Sequence, residues 1–132
     1  MRYAYPILFV LGLAIGAALA VIAVNRIHKN QAYPHGVMAV LRAQSGALDN
    51  AVKQNRCTAN DLLPRLQTIR AVANDIEPAF GEDDERFGKH ASALRAAADS
   101  ALSTPPGNCQ AAAATLDRIN EACSACHRDF KD

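Results

Sequence analysis

At 132 residues, half of them apolar, the chain is long enough for one modest domain but not two. Only seven residues are aromatic, none is Trp, and alanine is abundant, which favours helices packed through small side chains over strands. A formal charge of +1, with no Gly-rich phosphate loop and no Lys/Arg stripe, argues against nucleic acid as a partner.

Residues 6–24, PILFVLGLAIGAALAVIAV, are nineteen positions without a charge. As a helix they span about 28 Å, close to the hydrocarbon thickness of a bilayer. Two readings stand: an uncleaved N-terminal anchor, which the length of the run favours, and a cleaved export signal, for which Ala18-Leu19-Ala20 and Val21-Ile22-Ala23 both suit a signal peptidase. Arg2 precedes the run and Arg26 and Lys29 follow it, so flanking charge barely decides its orientation. Either reading places residues 33–132 outside the cytoplasm, on the periplasmic side of the membrane, with 1–32 as signal or anchor plus linker. The exported part carries eleven basic and thirteen acidic residues, a net of −2.

After a polar linker at 25–33, apolar residues recur at spacings of three and four in four blocks. Pro34 opens the first, where Met38, Leu41, Leu48 and Val52 share a face with Ser45. The second starts near Thr58–Asp61, which offer capping side chains, and runs through Leu62, Leu66, Ile69, Ala73, Ile76 and Phe80. Gly81 and the acidic run Glu82–Glu85 separate it from the third block, whose stripe is Phe87, Ala91, Leu94, Ala98 and Ala101; acids suit a helix N-terminus. Pro105-Pro106-Gly107 is a break. Asn108 caps the fourth, with Leu116, Ile119, Cys123, Cys126 and Phe130 on its stripe. No stretch alternates with period two. The expected fold is all-α, an antiparallel four-helix bundle preceded by an N-terminal hydrophobic helix.

Near the C-terminus stands Cys123-Ser-Ala-Cys126-His127, a C-x-x-C-H sequence and the signal for covalent c-type haem attachment. On a helix, Cys123, Cys126 and His127 face roughly one way, so two thioethers can hold a porphyrin edge while the imidazole reaches the iron. The competing readings are weaker. A redox dithiol wants a βαβ context that is missing, and zinc needs two more ligands that the other cysteines do not supply as a second C-x-x-C. Attachment of haem outside the cytoplasm agrees with export, as do structural disulfides. Cys57 and Cys109 lie at the junctions of helices one and two and of helices three and four, which fall at the same end of an up-down-up-down bundle. A disulfide there closes a loop of about fifty residues, worth ~3–4 kcal/mol; two unpaired buried cysteines are the alternative.

With C-x-x-C-H on the last helix, followed by Phe130, Lys131 and the chain end, residues 33–132 resemble the class II c-type cytochromes, the cytochrome c-prime family. The specific motif is confined to Cys123–Lys131; elsewhere the likeness is one of helix number and order. The resemblance implies an antiparallel four-helix bundle with one covalent haem c, His127 as axial ligand, and, as in many relatives, dimerisation through the first two helices.

If helices one and four are antiparallel neighbours, the residue facing His127 across the haem falls about one turn into helix one. Met38 is there, and the low-spin branch of the family places a Met at that point. Thioether ligation gives low-spin iron with a raised potential, suited to electron transfer. The competing reading makes Met38 a core filler, leaving five-coordinate iron under an apolar lid of Val37, Leu41 and Met38 that admits nitric oxide or carbon monoxide. His35 is the rival sixth ligand. His28 and His90 read as solvated or core histidines, Tyr33 and Phe130 as porphyrin or core packing, and Arg128 and Lys131 as propionate partners or solvated charges. The expectation is a mono-haem electron carrier with a protein redox partner, the membrane through its N-terminal segment, and no catalytic acid, base or nucleophile. The acidic run Glu82–Glu85 reads either as a solvated helix start or as a surface for a basic partner. A haem-free scaffold with oxidised cysteine pairs is the remaining alternative.

Overall fold

The computed structural model describes residues 4–130, apart from the side chains of residues 4–7 and 27–30. Arg2, Lys131 and the side chains of His28 and Lys29 therefore lie outside the described residues. The described chain is all-α, with no strand among these residues. Backbone contacts divide it into two units, Met1–Tyr33 and Pro34–Asp132.

The first unit is helical and apolar. Its large side chains are uncovered, with Phe9 at 72% and Leu13 at 67% exposure, and its helix is long and apolar enough to cross a membrane.

Helix α1 is Ala4–Lys53, and Pro34 lies inside it. This corrects two expectations, a polar linker at 25–33 and a helix opened by Pro34. Residues 25–33 contain no glycine or proline, and Pro34 takes one N–H donor out of the helical ladder without ending the helix. The C-terminal end of α1 is a Schellman motif with Asn55 in the left-handed region at φ 56°. There the Asn55 N–H donates to the Val52 carbonyl at 3.0 Å and the Arg56 N–H to the Ala51 carbonyl at 2.8 Å.

Helix α2, Ala59–Val72, starts at Thr58, whose backbone N–H donates to the Asp61 carboxylate at 3.2 Å. The second expected helix does not run unbroken to Phe80. A 3₁₀ turn at Ala73–Asp75 divides it from the short helix α3, Ile76–Phe80. Pro78 has no N–H for the Asn74 carbonyl, and the Asn74 side chain is engaged by Arg70 Nη1 at 2.7 Å. Gly81, at φ 60°, ends α3 and returns its N–H to the Glu77 carbonyl at 3.0 Å.

Helix α4, Glu85–Ser103, is capped by Asp84, which accepts the Arg86 N–H at 2.8 Å. Helix α5, Cys109–Phe130, follows the Pro105-Pro106-Gly107 break. Asn108 Oδ1 accepts the Ala111 N–H at its start, at 2.8 Å.

In the second unit these helices share one apolar core. Leu62, Leu66, Ile69 and Ile119 are its most deeply buried large side chains, and Ala91, Ala98 and Ala112 hold the small positions. On α1 the buried face is Val37, Leu41, Leu48 and Ala51; Met38 and Val52 flank it. The two stripes share Leu41 and Leu48, and burial is centred one residue earlier than expected. Phe80 is also more open than its stripe implied, at 43% exposure. Arg70 on α2 pairs with Asp99 on α4 at 2.6 Å, and Arg95 on α4 reaches Glu77 on α3. The α-carbons of Cys57 and Cys109 are 5.2 Å apart and their sulfurs stand at bonding distance, so the loop before α2 is tied to the first residue of α5.

Candidate functional site

Helix α5 changes character along its length. Ala112, Thr115, Leu116 and Ile119 are buried, whereas Ala122, Cys123, Cys126 and Phe130, on the same face, are half-buried and rest against the core. The first half of the inward face is filled by other helices. Its second half keeps accessible surface, and both cysteines stand there one turn apart.

Cys123 and Cys126 are free thiols. Burial pushes the Cys123 thiol above its ordinary value, with Cys126 adding to the effect. Burial does the same to Cys126, and Asp129 adds to it. Reactive dithiols owe their nucleophilicity to a depressed thiol pKa; these two are shifted the other way and stay protonated.

His127 is exposed, which corrects the expectation that it points inward with the cysteines. At about 100° per residue it lies roughly 80° around the helix from Ile119, at the edge of the stripe. Its ring makes no hydrogen bond or ion pair with the described residues. His90 behaves oppositely: its Nε2 lies 3.0 Å from Asp129 Oδ2. His35 is exposed near the boundary of the second unit.

Met38 is half-buried against the same core as the two thiols, beside Val37, which is only 5% exposed. Arg128 reaches Glu121 at 3.2 Å, both side chains largely in solvent. No three His, Cys, Asp or Glu side chains converge to ligate a bare metal ion among the described residues.

Sequence reasoning did not anticipate the cluster that closes the C-terminal end of α5. Phe130 meets Phe87 edge-on at 5.2 Å between centroids and His90 at 5.9 Å, with the Arg86 guanidinium 5.5 Å from its ring centre. Phe80 extends the group, 5.6 Å from Phe87. The available signal was the apolar position of Phe130 on the α5 stripe; its polar neighbours on α4 have no periodic signature.

The donor set fits a covalently held haem. Two protonated thiols one turn apart face the core, and the next residue carries an imidazole without a competing hydrogen bond. No family model, curated protein or solved structure matches the chain.

Proposed function

We propose that the chain is an exported mono-haem c-type cytochrome of the cytochrome c-prime kind, carrying electrons at the outer face of the membrane. The fold proposed for residues 34–130 is an antiparallel four-helix bundle of the later part of α1 with α2, α4 and α5. The first unit serves as its membrane anchor, or as its signal if cleaved. The observation that carries the reading is the C-x-x-C-H sequence on α5, with both thiols half-buried against the core and unpaired with each other.

Cys123 and Cys126 would hold a haem through thioether links at their sulfurs, and His127 would offer its imidazole nitrogen to the iron. When bound, haem supplies an iron that passes between its ferrous and ferric states. The core behind the two thiols excludes water from one side of the site. Met38 would offer its sulfur to the iron in this reading, which would favour low-spin iron and a raised potential. The protein has no catalytic acid or base and exchanges electrons with a protein partner.

One observation favours a second reading. Val37, not Met38, is the buried residue at this level of α1, which suits an apolar lid over five-coordinate iron that takes nitric oxide or carbon monoxide. Optical spectra of the exported protein, ferric and ferrous, before and after carbon monoxide, separate the two. A low-spin ferrous spectrum that carbon monoxide barely changes supports Met38 ligation. A high-spin spectrum converted at once supports the gas-binding reading, and a protein without covalent haem removes both.

A further inference from the structure

The last turn of a helix is its least secured part, because its final carbonyls have no intrahelical donors. His127 lies in that turn of α5. An iron-bound histidine is ordinarily oriented by a hydrogen bond from its second ring nitrogen to a carboxylate or carbonyl, and the His127 ring makes none with the described residues. Asp129, a carboxylate two residues further on, is taken by His90 at 3.0 Å. The direction of the His127 ring is therefore left to the backbone of its own turn.

That turn is held from α4. Phe130 is set edge-on against Phe87 with an interplanar angle of 87°, and Phe87 is itself only 4% exposed, so the contact rests on a fixed base. His90 adds a ring contact to Phe130 and the bond to Asp129, and Arg86 covers the Phe130 ring while paired to Asp84 at 2.7 Å. Two successive residues of α5 are gripped by three residues from the first two turns of α4.

Building on the haem reading above, we propose that Asp129 and Phe130, clamped by Arg86, Phe87 and His90, are positioning residues that set the orientation of the axial imidazole of His127. The clamp replaces the missing hydrogen bond to the ring: it fixes the turn, and the turn aims the side chain.

The test uses the full haem-loaded chain with Phe130→Leu and His90→Leu, the conservative Phe130→Tyr, and Leu48→Val as a remote core change. In the ferric protein, the hyperfine-shifted haem methyl proton resonances report the plane of the axial imidazole. Phe130→Leu and His90→Leu are expected to redistribute them, Phe130→Tyr to keep the wild-type pattern, and Leu48→Val to leave it unchanged. Native-state exchange of the amides of residues 127–130 should quicken about tenfold in the two clamp variants. Faster exchange with an unchanged methyl pattern makes the clamp a purely structural tether and overturns the proposal, as does no change in either measurement. A wild-type chain without covalent haem overturns the parent reading and this one with it, and is recognised before any variant is made.

Discussion

The α-carbons of Cys57 and Cys109 lie 5.2 Å apart although 52 positions separate them in the chain. This places a covalent tie between the loop before α2 and the first turn of α5. Closing a loop of that length is worth about 4 kcal/mol through the unfolded chain. Replacing both cysteines with serine should lower stability by roughly that amount in denaturant unfolding. If haem is attached as proposed, its visible spectrum should not change, because the tie lies at the opposite end of α5 from the C-x-x-C-H turn. A spectrum altered as strongly as the stability would show that the two ends are coupled.

Asp84 is held below the ordinary carboxylate value of 3.8, chiefly by its hydrogen bond to the Arg86 side chain and then by the Arg86 backbone N–H. A carboxyl whose folded pKa is depressed contributes stability above its unfolded value, and the contribution is lost as pH falls through the folded one. Asp84→Ala should therefore melt below the wild type at neutral pH, with the gap narrowing as pH drops beneath 3.8. A gap that stays constant to pH 2 would mean that the charge of Asp84 contributes nothing to the cap.

The raised thiols of Cys123 and Cys126 make a kinetic prediction. In the haem-free chain, alkylation by iodoacetamide should rise with pH to a midpoint above 9.0, the ordinary value for these groups. The same cysteines in the denatured chain should react with a lower midpoint. A folded midpoint well below 9.0 would identify an activated dithiol and overturn the protecting effect of burial.

Met38→Ala tests the sixth ligand. With sulfur ligation, the ferrous protein should pass from low to high spin and bind carbon monoxide many-fold faster. If Met38 is packing alone, the spectrum should stay as it is, and only a modest loss of stability from the half-buried side chain should remain.

Much of the fold was legible because its punctuation is chemical. The cap at Asn108, the Thr58–Asp61 pair, the acid before α4 and the left-handed Gly81 each announce a helix end through a local bond. The continuity of α1 through Pro34 was not legible, since Pro34 with Gly36 two residues on reads locally as a break. The choice of Val37 over Met38 was equally hidden: two overlapping stripes fit the period, and packing decides between them. At the candidate site, the motif itself stood in the sequence. The edge position of His127 follows from the period of α5 alone, whereas the grip of α4 on Phe130 depends on which helices meet.

Helix α5 begins with one cysteine of the oxidised pair and carries both free thiols near its other end. At 1.5 Å per residue, Cys109 and Cys123 are about 21 Å apart along the axis. Once this helix has formed, neither free thiol can attack the disulfide within the same molecule. The rigid rod acts as an insulator between two sulfur chemistries that thiol–disulfide exchange would otherwise scramble. Folding of α5 thus fixes the cysteine pairing and leaves the second pair available for a different bond.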